Sequence, residues 1–549
     1  MSKKLIAILL AVILSVSVVA VPVAAAGVSL PNTSIENMFY MLIDRFVSWL
    51  LSYFNRFWPG ADDTWLDAAD YTAENFFPGE ATFSDTPTQN EWELGYAGAS
   101  LLDGIEPMSG EFFLAGSLEP LQGRVPTTVY DDQRVRVYAL SDGNGTVVHA
   151  VLDAFGISRG DVNAIRDRLA EFAEKNDIIS LNVSVLHQHS CIDTLGLSVP
   201  LVQALFTNTA INATDAMQQA KVQKSQKFMD NLTNKTVAAV MQAVKNMEPG
   251  ELSYNTKDVS EYIHDKRAPY FYDGYVHRLA FTPSDGSRAT WIVEFAIHTT
   301  GLGASADELS ADFPYYMEQE IRENAGVNLV CIQGAELAIT STYQEPYTSD
   351  ESLDGYGRLV EYGKDLANQV MTMDDAQEEV LAPVLNVKHQ EVALKADNEV
   401  LMLAAREGVL NAIITKSADG YNMITEIGYM TLGSATQGAK VAVFLCPGEF
   451  DPAIIYGNED AAGNVTMVES GDGSWTGAAW GREPLSKFTG VDQRHVMVYG
   501  LCNDQCGYVL RDNEYRSIID NNEEVMAVST TAGSTFVEAY MALIDSVTV

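Results

Sequence analysis

This chain has few basic residues. Its 549 residues include 34 lysines and arginines against 74 aspartates and glutamates, which gives a formal net charge of −40 at pH 7. A chain this acidic is repelled by nucleic acid and by anionic lipid headgroups, so we expect no nucleic-acid partner. The charge instead favours solubility, or work in a salty or cation-rich medium.

Cysteine is also scarce. The five cysteines are odd in number and too few for a disulfide scaffold, and no two of them form a C-x-x-C pair. Cys502 and Cys506 are candidates for one disulfide, although the loop between them is short enough to strain it. A four-cysteine zinc site is the weaker interpretation.

Residues 1–26 have the layout of a secretory signal. Lys3 and Lys4 precede an apolar run, which ends in small residues up to Ala26. The sequence therefore predicts cleavage near Ala26 and a secreted, extracellular mature chain. Without cleavage, the apolar run is nearly long enough to span a membrane and would anchor the protein at the cell surface.

Residues 27–90 are predicted to form an amphipathic helix followed by a linker. Residues 35–58 mix aromatic and apolar side chains with charged ones at helical spacing, and residues 59–90 are rich in Asp, Thr, Pro and Gly. We expect the helix to dock on the body of the protein. Peripheral membrane contact through residues 35–58 is the alternative, and it is weaker because the polar face is not strongly basic.

The pattern then changes to strand, helix, strand. After the strands VRVYAL and TVVHAVLDAFGI, Ser158 is a candidate N-cap for a helix whose apolar stripe includes Val162 and Leu169. A further strand starts near Ile179. This spacing predicts a βαβ unit and an α/β fold with mixed sheets and flanking helices. In such sheets ligands gather beyond the C-terminal ends of strands.

Two histidines follow the last strand of this unit. In ISLNVSVLHQHSCID, His187 and His189 share the parity of the apolar positions of residues 179–185, so in an extended strand both imidazoles would project from the buried face. Neutral imidazole is the commonest protein ligand of zinc, and two can share one ion if other ligands join them. A pair of hydrogen-bonded core histidines is the alternative.

The rest of the chain alternates between helical and strand patterns. Its apolar spacing changes between a period near 3.6 and a period of 2. The pattern predicts helical segments at Thr207–Met247, Tyr316–Asn324 and Tyr356–Val370, a β section at Tyr275–His298, and strands at Glu391–Leu403 and Lys440–Leu445.

Several segments share their order and spacing with one known family. They are VVHAVLDAFGISRGDVNAIRDRLAEFA with SVLHQHSCIDT, then FAIHTTGLGASADELSADFPYYMEQEI with CIQGAE, then FLCPGEF and GLCNDQCGYVLRDNEY. These segments resemble those of the neutral/alkaline non-lysosomal ceramidases, including their T-H-T-H-S-G, F-A-x-H-P and P-G-E-F motifs. The resemblance implies a ceramidase-like catalytic domain over residues 91–549.

The resemblance also implies a set of metal ligands. In the family, two histidines, a glutamate and a tyrosine hold zinc. Carried over by position, one of His187 and His189, together with Glu449 and Tyr508, matches three of these ligands, and the choice between the two histidines stays open. Zinc bound in this way leaves a position for water, which it activates to attack an amide carbonyl. Without the resemblance, Glu449 is a turn carboxylate and Tyr508 a core tyrosine.

Two further residues are candidates for catalysis. Ser310, with Asp312, matches a serine-containing segment of the family in which the serine lies against the scissile amide. We expect Ser310 to hydrogen-bond the substrate or transition state, and a helix N-cap is the alternative. His298 is expected to carry a proton or to support a metal ligand, with a hydrogen-bonded core histidine as the alternative.

The chain departs from the family at several positions. No histidine stands at residues 130–136, where the first zinc histidine is expected, so Asp131 or Asp132 is predicted to replace it with an oxygen ligand. The alternative is that neither aspartate replaces the histidine and that the site has lost its metal ion. Glu336 stands in a Glu-Leu pair where the family has Gly-Asp. About forty residues follow Tyr508, too few for the immunoglobulin-like domain that ends full-length neutral ceramidases, so we expect no such domain.

Together these features predict a secreted metal-dependent hydrolase of an amide bond in an N-acyl, ceramide-like small molecule or lipid. The metal is expected to be zinc or another divalent ion. A catalytically inactive extracellular binding protein with the same fold is the alternative. The predicted metal ligands are His187, His189, Glu449, Tyr508 and Asp131, and the predicted catalytic residues are Ser310 and His298.

Overall fold

The structure is a computed structural model, and it describes most of the chain after residue 64. Residues 1–26 and 35–58, predicted to be a signal and an amphipathic helix, lie outside the described residues. In the described part, no helix is both long and apolar enough to cross a membrane. The described ranges are 65–116, 123–198, 224–267, 270–303, 306–343, 354–406, 408–418, 420–457, 480–515 and 522–547.

Strands make up most of the regular structure. Many contain consecutive buried residues, because both faces of their sheets are covered. The described strands are β1 (Leu66–Asp67), β2 (Trp92–Ser100), β3 (Thr128–Val129), β4 (Arg134–Ser141), β5 (Thr146–Leu152), β6 (Ile178–Val185), β7 (Glu248–Asp258), β8 (Ile263–Asp265), β9 (Tyr275–Pro283), β10 (Thr290–Phe295), β11 (Glu308–Leu309), β12 (Asn328–Gln333), β13 (Ile339–Ser341), β14 (Glu379–Leu381), β15 (Leu385–Lys395), β16 (Ile414–Ser417), β17 (Gly420–Gly433), β18 (Lys440–Leu445), β19 (Glu449–Phe450), β20 (Val496–Tyr499) and β21 (Tyr508–Val509).

The helices flank the sheets. The longer ones are amphipathic, with one apolar face buried against strands or against a neighbouring helix. The described α-helices are α1 (Arg159–Lys175), α2 (Gln226–Lys245), α3 (Asp312–Asn324), α4 (Gly355–Met371), α5 (Glu399–Arg406), α6 (Pro452–Tyr456), α7 (Asn522–Met526) and α8 (Ala532–Val547).

Two large sheets form the centre of the fold. A nine-stranded sheet has the order β12-β10-β9-β7-β2-β4-β5-β6, with β14 also paired to β7. A six-stranded sheet has the order β1-β16-β17-β18-β20, with β15 also paired to β17. Both sheets mix parallel and antiparallel pairs. The predicted mixed α/β fold is confirmed.

Alternation along the strands shows how the layers are stacked. In β4, Val137 and Ala139 join a core with α1 and α2, whereas Tyr138 faces a second core that contains residues of both sheets. In β17, Met430 joins that second core, whereas Tyr429 faces a third core with α8. The layers therefore run from α1 and α2 through the nine-stranded sheet and the six-stranded sheet to α8.

The predicted βαβ unit is confirmed. Strands β5 and β6 pair in parallel, and α1 connects them. Ser158 is the N-cap of α1 and has extended backbone, and Asp161 places a negative charge in the first turn, where the helix dipole favours it. Val162 and Leu169 are buried in the core beneath the helix.

One predicted strand was wrong in part. The apolar run of residues 391–403 was predicted to be a single strand, but β15 ends at Lys395 and α5 begins at Glu399. The side-chain oxygen of Asn398 accepts hydrogen bonds from the amides of Val400 and Leu401. Asn398 therefore caps a helix, and its capping contacts end the strand pattern.

The candidate disulfide is absent. All five cysteines are buried free thiols. Cys502 packs in the core between the sheets, whereas Cys506 packs in the outer core of the six-stranded sheet, where its thiol lies 3.3 Å from the hydroxyl of Thr425. The two thiols therefore face different layers, which the short loop between them does not bring together.

A buried ion cluster joins α1 to the six-stranded sheet. Glu426 of β17 accepts two hydrogen bonds from Arg166, at 2.8 and 3.0 Å, and a third contact comes from Arg159. The side chain of Asn503 donates to the same carboxylate at 3.0 Å, while its oxygen accepts from the amide of Val183 in β6. The cluster therefore ties α1, β6 and β17 to one another.

Replacing Glu426 by glutamine should destabilise the protein strongly. The Glu426→Gln variant leaves the buried guanidinium of Arg166 without its counter-charge and leaves Arg159 with Glu391 as its remaining ion-pair partner, which costs about 3–5 kcal/mol of unfolding free energy. Denaturant titration of the two proteins measures this difference. The matched control is Glu171→Gln, because Glu171 pairs with Lys175 on the exposed face of α1 and should contribute about 0.5 kcal/mol or less. Equal effects of the two substitutions would show that the Glu426 ion cluster stabilises the protein no more than an exposed ion pair.

The contribution of Glu426 should also depend on pH. Burial alone would raise the pKa of this carboxyl, but the charges of Arg166 and Arg159 hold the pKa well below its usual 4.5. A group whose pKa is lower in the folded state stabilises the protein fully above its unfolded-state pKa, and it loses that contribution as the pH falls towards the folded-state pKa. The stability difference between wild type and Glu426→Gln should therefore shrink below pH 4.5. A constant difference down to pH 3 would contradict this assignment.

Candidate functional site

The two sequence-predicted histidines lie directly after β6. The strand ends at Val185, and His187 has a φ of +60°, so the chain turns there instead of continuing as an extended strand. The prediction that strand parity aligns the two imidazoles was therefore wrong. The turn still brings the rings of His187 and His189 together, with their centroids 4.7 Å apart and their planes nearly perpendicular.

Three other segments bring side chains to the same place. His298 follows β10, Glu336 follows β12, and Glu449 begins β19. Glu449 Oε2 lies 3.1 Å from His298 Nε2 and 3.4 Å from His187 Nε2, and Glu336 Oε2 lies 3.6 Å from His298 Nδ1. These four residues each offer a ligand atom within 4.8 Å of the others, and His189 forms a second, overlapping group with His187 and His298.

Backbone carbonyls set the tautomers of all three histidines. The Nδ1 atom of His187 lies 2.7 Å from the carbonyl oxygen of Phe155, that of His189 lies 3.0 Å from Gly116, and that of His298 lies 2.9 Å from Ile339. A carbonyl oxygen only accepts, so each Nδ1 carries the hydrogen and each Nε2 presents a lone pair. Within the described chain, Nε2 of His187 and of His189 has no hydrogen-bond partner.

Burial keeps these imidazoles neutral. It lowers the pKa of His187 to about 4 and that of His298 to about 3, and it lowers the pKa of His189 well below its usual value. Burial also raises the pKa of Glu449, and burial together with the charge of Glu449 raises that of Glu336. Neutral imidazoles and two carboxylates that face one another fit a divalent cation, which would supply the missing positive charge.

Tyr508 lies beside this cluster. It pairs with Glu449 in the parallel ladder of β19 and β21, and its phenol makes a side-chain hydrogen bond with that carboxylate. Its ring lies roughly parallel to that of His298, with centroids 6.4 Å apart. The other oxygen of Glu449, Oε1, accepts a hydrogen bond from Gln505 at 3.2 Å. The structure thus brings Tyr508 to the predicted place, as a hydrogen-bond partner of Glu449.

Asp131 and Ser310 form a separate cluster. The hydroxyl of Ser310 donates to Asp131 Oδ2 at 2.5 Å, the amide of Ala311 donates to Oδ1 at 2.6 Å, and the phenol of Tyr316 donates to Oδ2 at 2.9 Å. Asp131 belongs to none of the groups of described residues that could share a cation. Glu336 does belong to such a group, and it therefore takes the place of Asp131 in the candidate ligand set.

An apolar cavity of about 280 Å³ opens beside the cluster. His189, Glu449 and Tyr508 form part of its wall, and the remaining wall is largely aliphatic. Ser310 is not among its lining residues, so the predicted contact of this hydroxyl with a bound amide has no support from this cavity. The apolar lining residues include Leu195, Leu197, Leu401, Met402, Leu410, Ile414, Met423 and Val528.

Sequence reasoning missed three features of the site. His298 was expected beside the ligands, but its Nε2 faces Glu449 directly. Glu336 was noted only as a departure from the family pattern, and no local pattern marks it as a ligand, because its partners in the cluster come from distant segments of the chain. Phe155, whose ring stacks on His187 with centroids 4.5 Å apart, was not predicted either.

Comparison with known proteins supports the fold. No protein-family model and no curated protein matches the chain. Among solved structures, the chain is similar to neutral ceramidase from Pseudomonas aeruginosa, at 15% identity and a TM-score of 0.58, over 84% of this chain and 76% of that one. A structure described as ceramidase complexed with C2 gives 14% identity and a TM-score of 0.57 over the same shares. This chain therefore has a divergent neutral-ceramidase-like fold.

Proposed function

We propose that this protein is a metal-dependent hydrolase of the amide bond in N-acyl, lipid-like molecules, with ceramides as one class of substrate. The observation that carries the proposal is the contact between two features. The buried cluster of imidazoles and carboxylates reaches a largely apolar cavity through His189 and Glu449, which form part of the cavity wall. Such a combination suits a substrate with a hydrocarbon chain that ends in a polar, hydrolysable group.

His187, His298, Glu336 and Glu449 would hold the ion, with His189 adjacent. Their donor set of imidazole nitrogens and carboxylate oxygens is typical of zinc, and it also suits other divalent transition metals. When bound, such an ion polarises an amide carbonyl and makes a water molecule nucleophilic near neutral pH. The backbone carbonyl oxygens of Phe155 and Ile339 accept hydrogen bonds from Nδ1 of His187 and His298, and these bonds keep the two imidazoles oriented for this role.

The residues that line the cavity would bind the substrate and exclude water. The aliphatic wall would take up the acyl chain and exclude water from it. The phenol of Tyr508 lies at the polar end of the cavity, where it donates its hydrogen to Glu449 and so helps to orient that carboxylate. Gln505 restrains Glu449 through its amide hydrogen bond.

We also propose that the protein is exported. The support comes from Lys3, Lys4 and the apolar run that ends near Ala26. An extracellular enzyme would meet N-acyl lipids at membrane surfaces or after their release from them.

Loss of the clustered histidines should remove the metal. In the His187→Ala/His298→Ala double variant, the divalent-ion content in elemental analysis should fall by one ion per chain, because two of the four ligands at this cluster are gone. His149→Gln is the matched control. His149 is also buried, hydrogen-bonds Ser184 through Nε2, and lies outside every described group that could share a cation. An unchanged ion content in the double variant would show that this cluster binds no ion.

Substitution in the cavity should change the preference for chain length. Ala412 lines the cavity, so Ala412→Phe should lower kcat/KM for a long-chain N-acyl substrate by about tenfold or more, with a smaller effect on an N-acetyl analogue. Ala69→Phe, at an exposed position outside the cavity, is the control. A chelator should abolish both activities, and added zinc should restore them.

Two results would contradict this proposal. If Ala412→Phe affects long and short substrates equally, the cavity does not bind the acyl chain. If the metal-loaded wild-type protein hydrolyses no N-acyl substrate, while long-chain amides still raise its melting temperature, the alternative of a binding protein with this fold is correct.

A further inference from the structure

A second group of potential metal ligands lies outside the site described above. Asp273 precedes β9, His277 lies on β9, and Glu294 lies on the neighbouring strand β10. Nε2 of His277 is 2.8 Å from Asp273 Oδ2 and 3.7 Å from Glu294 Oε2, and the three ligand atoms lie within 4.8 Å of one another. All three side chains are buried, and none of them lines the apolar cavity.

The hydrogen bonds of Tyr254 determine which nitrogen of His277 faces the carboxylates. The Tyr254 phenol donates its single hydrogen to the carbonyl oxygen of Arg494. It must therefore accept from Nδ1 of His277, which lies 2.7 Å away. In the neutral imidazole, Nε2 then has a lone pair directed at two carboxylates, and three acceptors face one another.

The carboxylate of Glu294 is short of hydrogen-bond donors. Glu294 is fully buried, and within the described chain neither of its side-chain oxygens has a hydrogen-bond partner of normal geometry. A cation between the three side chains would give these oxygens a partner.

We propose that Asp273, His277 and Glu294 bind a second divalent transition-metal ion, of the zinc or manganese class. One imidazole nitrogen and two carboxylate oxygens are a common donor set for such ions. Two carboxylates and a neutral imidazole carry a charge of −2, which a divalent ion balances completely. A single shared proton would leave one buried negative charge.

This second ion would be structural. Its ligands come from two adjacent strands of the nine-stranded sheet and from the segment that leads into β9. Because the ligands are buried and lie away from the cavity, the ion would be taken up as the chain folds and would hold that segment against the sheet. The proposal does not depend on the hydrolase activity proposed above.

Elemental analysis of the full-length protein tests the inference. Both His277→Asn and Glu294→Gln should contain one divalent ion per chain fewer than wild type, which contains two when the site proposed above is also filled. Asparagine can keep the hydrogen bond to Tyr254 while removing Nε2, and glutamine keeps the shape of Glu294. His149→Gln, a buried histidine outside the cluster, should retain both ions. Unchanged ion content in both cluster variants would overturn the proposal.

A second measurement leaves Asp273, His277 and Glu294 unchanged. It therefore does not depend on whether variants of these three residues fold. The His187→Ala/His298→Ala variant should still contain one ion per chain. After treatment with chelator, zinc alone should raise its melting temperature by about 2 °C or more. If this variant binds no ion and nitrogen NMR shows a doubly protonated His277, the cluster holds a proton and the proposal is wrong.

Discussion

The buried contact of Glu426 with Arg159 and Arg166 joins α1, which covers the nine-stranded sheet, to the six-stranded sheet. Charges removed from water are tolerated only when they are paired, so this contact permits one arrangement of α1 against the six-stranded sheet. The helix leads directly into β6, which ends just before His187. Glu426 also accepts a hydrogen bond from Asn503, five residues before Tyr508. One carboxylate therefore relates the histidine side of the candidate site to the side that carries Glu449 and Tyr508.

Within that frame, hydrogen bonds to one ring nitrogen orient the other. The three histidines of the candidate site each donate Nδ1–H to a backbone carbonyl, and His277 of the second cluster donates to Tyr254. In every case the free nitrogen faces a carboxylate or another imidazole. An imidazole held in this way loses little freedom when it binds an ion, since its tautomer and its ring orientation are already fixed. Burial adds to this effect, because it disfavours the protonated form that cannot bind a metal.

The sequence predicted the regular parts of this arrangement well. Alternating strands and an apolar helical stripe predicted β5, α1 and β6, and the strand at Lys440–Leu445 agrees with β18 residue for residue. The run from residue 391 to residue 403 was misassigned because a short apolar stretch fits either period, and the deciding contact was the capping by Asn398. The candidate site was harder, since the pairing of distant strands decides which side chains meet. His298 and Glu449 are 151 positions apart, and no local pattern reports their contact.

Under the proposed function, Glu336 would take the place of a metal-ligand histidine that the resemblance to neutral ceramidases implies and that this chain lacks. The ligand positions follow or begin strands, so several chain segments end near one point. A histidine lost from one segment can then be compensated from another, without any change in the sheets. In this chain Asp131 is held by Ser310 and Tyr316, while Glu336 lies against His298. Exchanging an imidazole for a carboxylate adds a negative charge and a harder donor, which widens the range of acceptable divalent ions from zinc towards manganese.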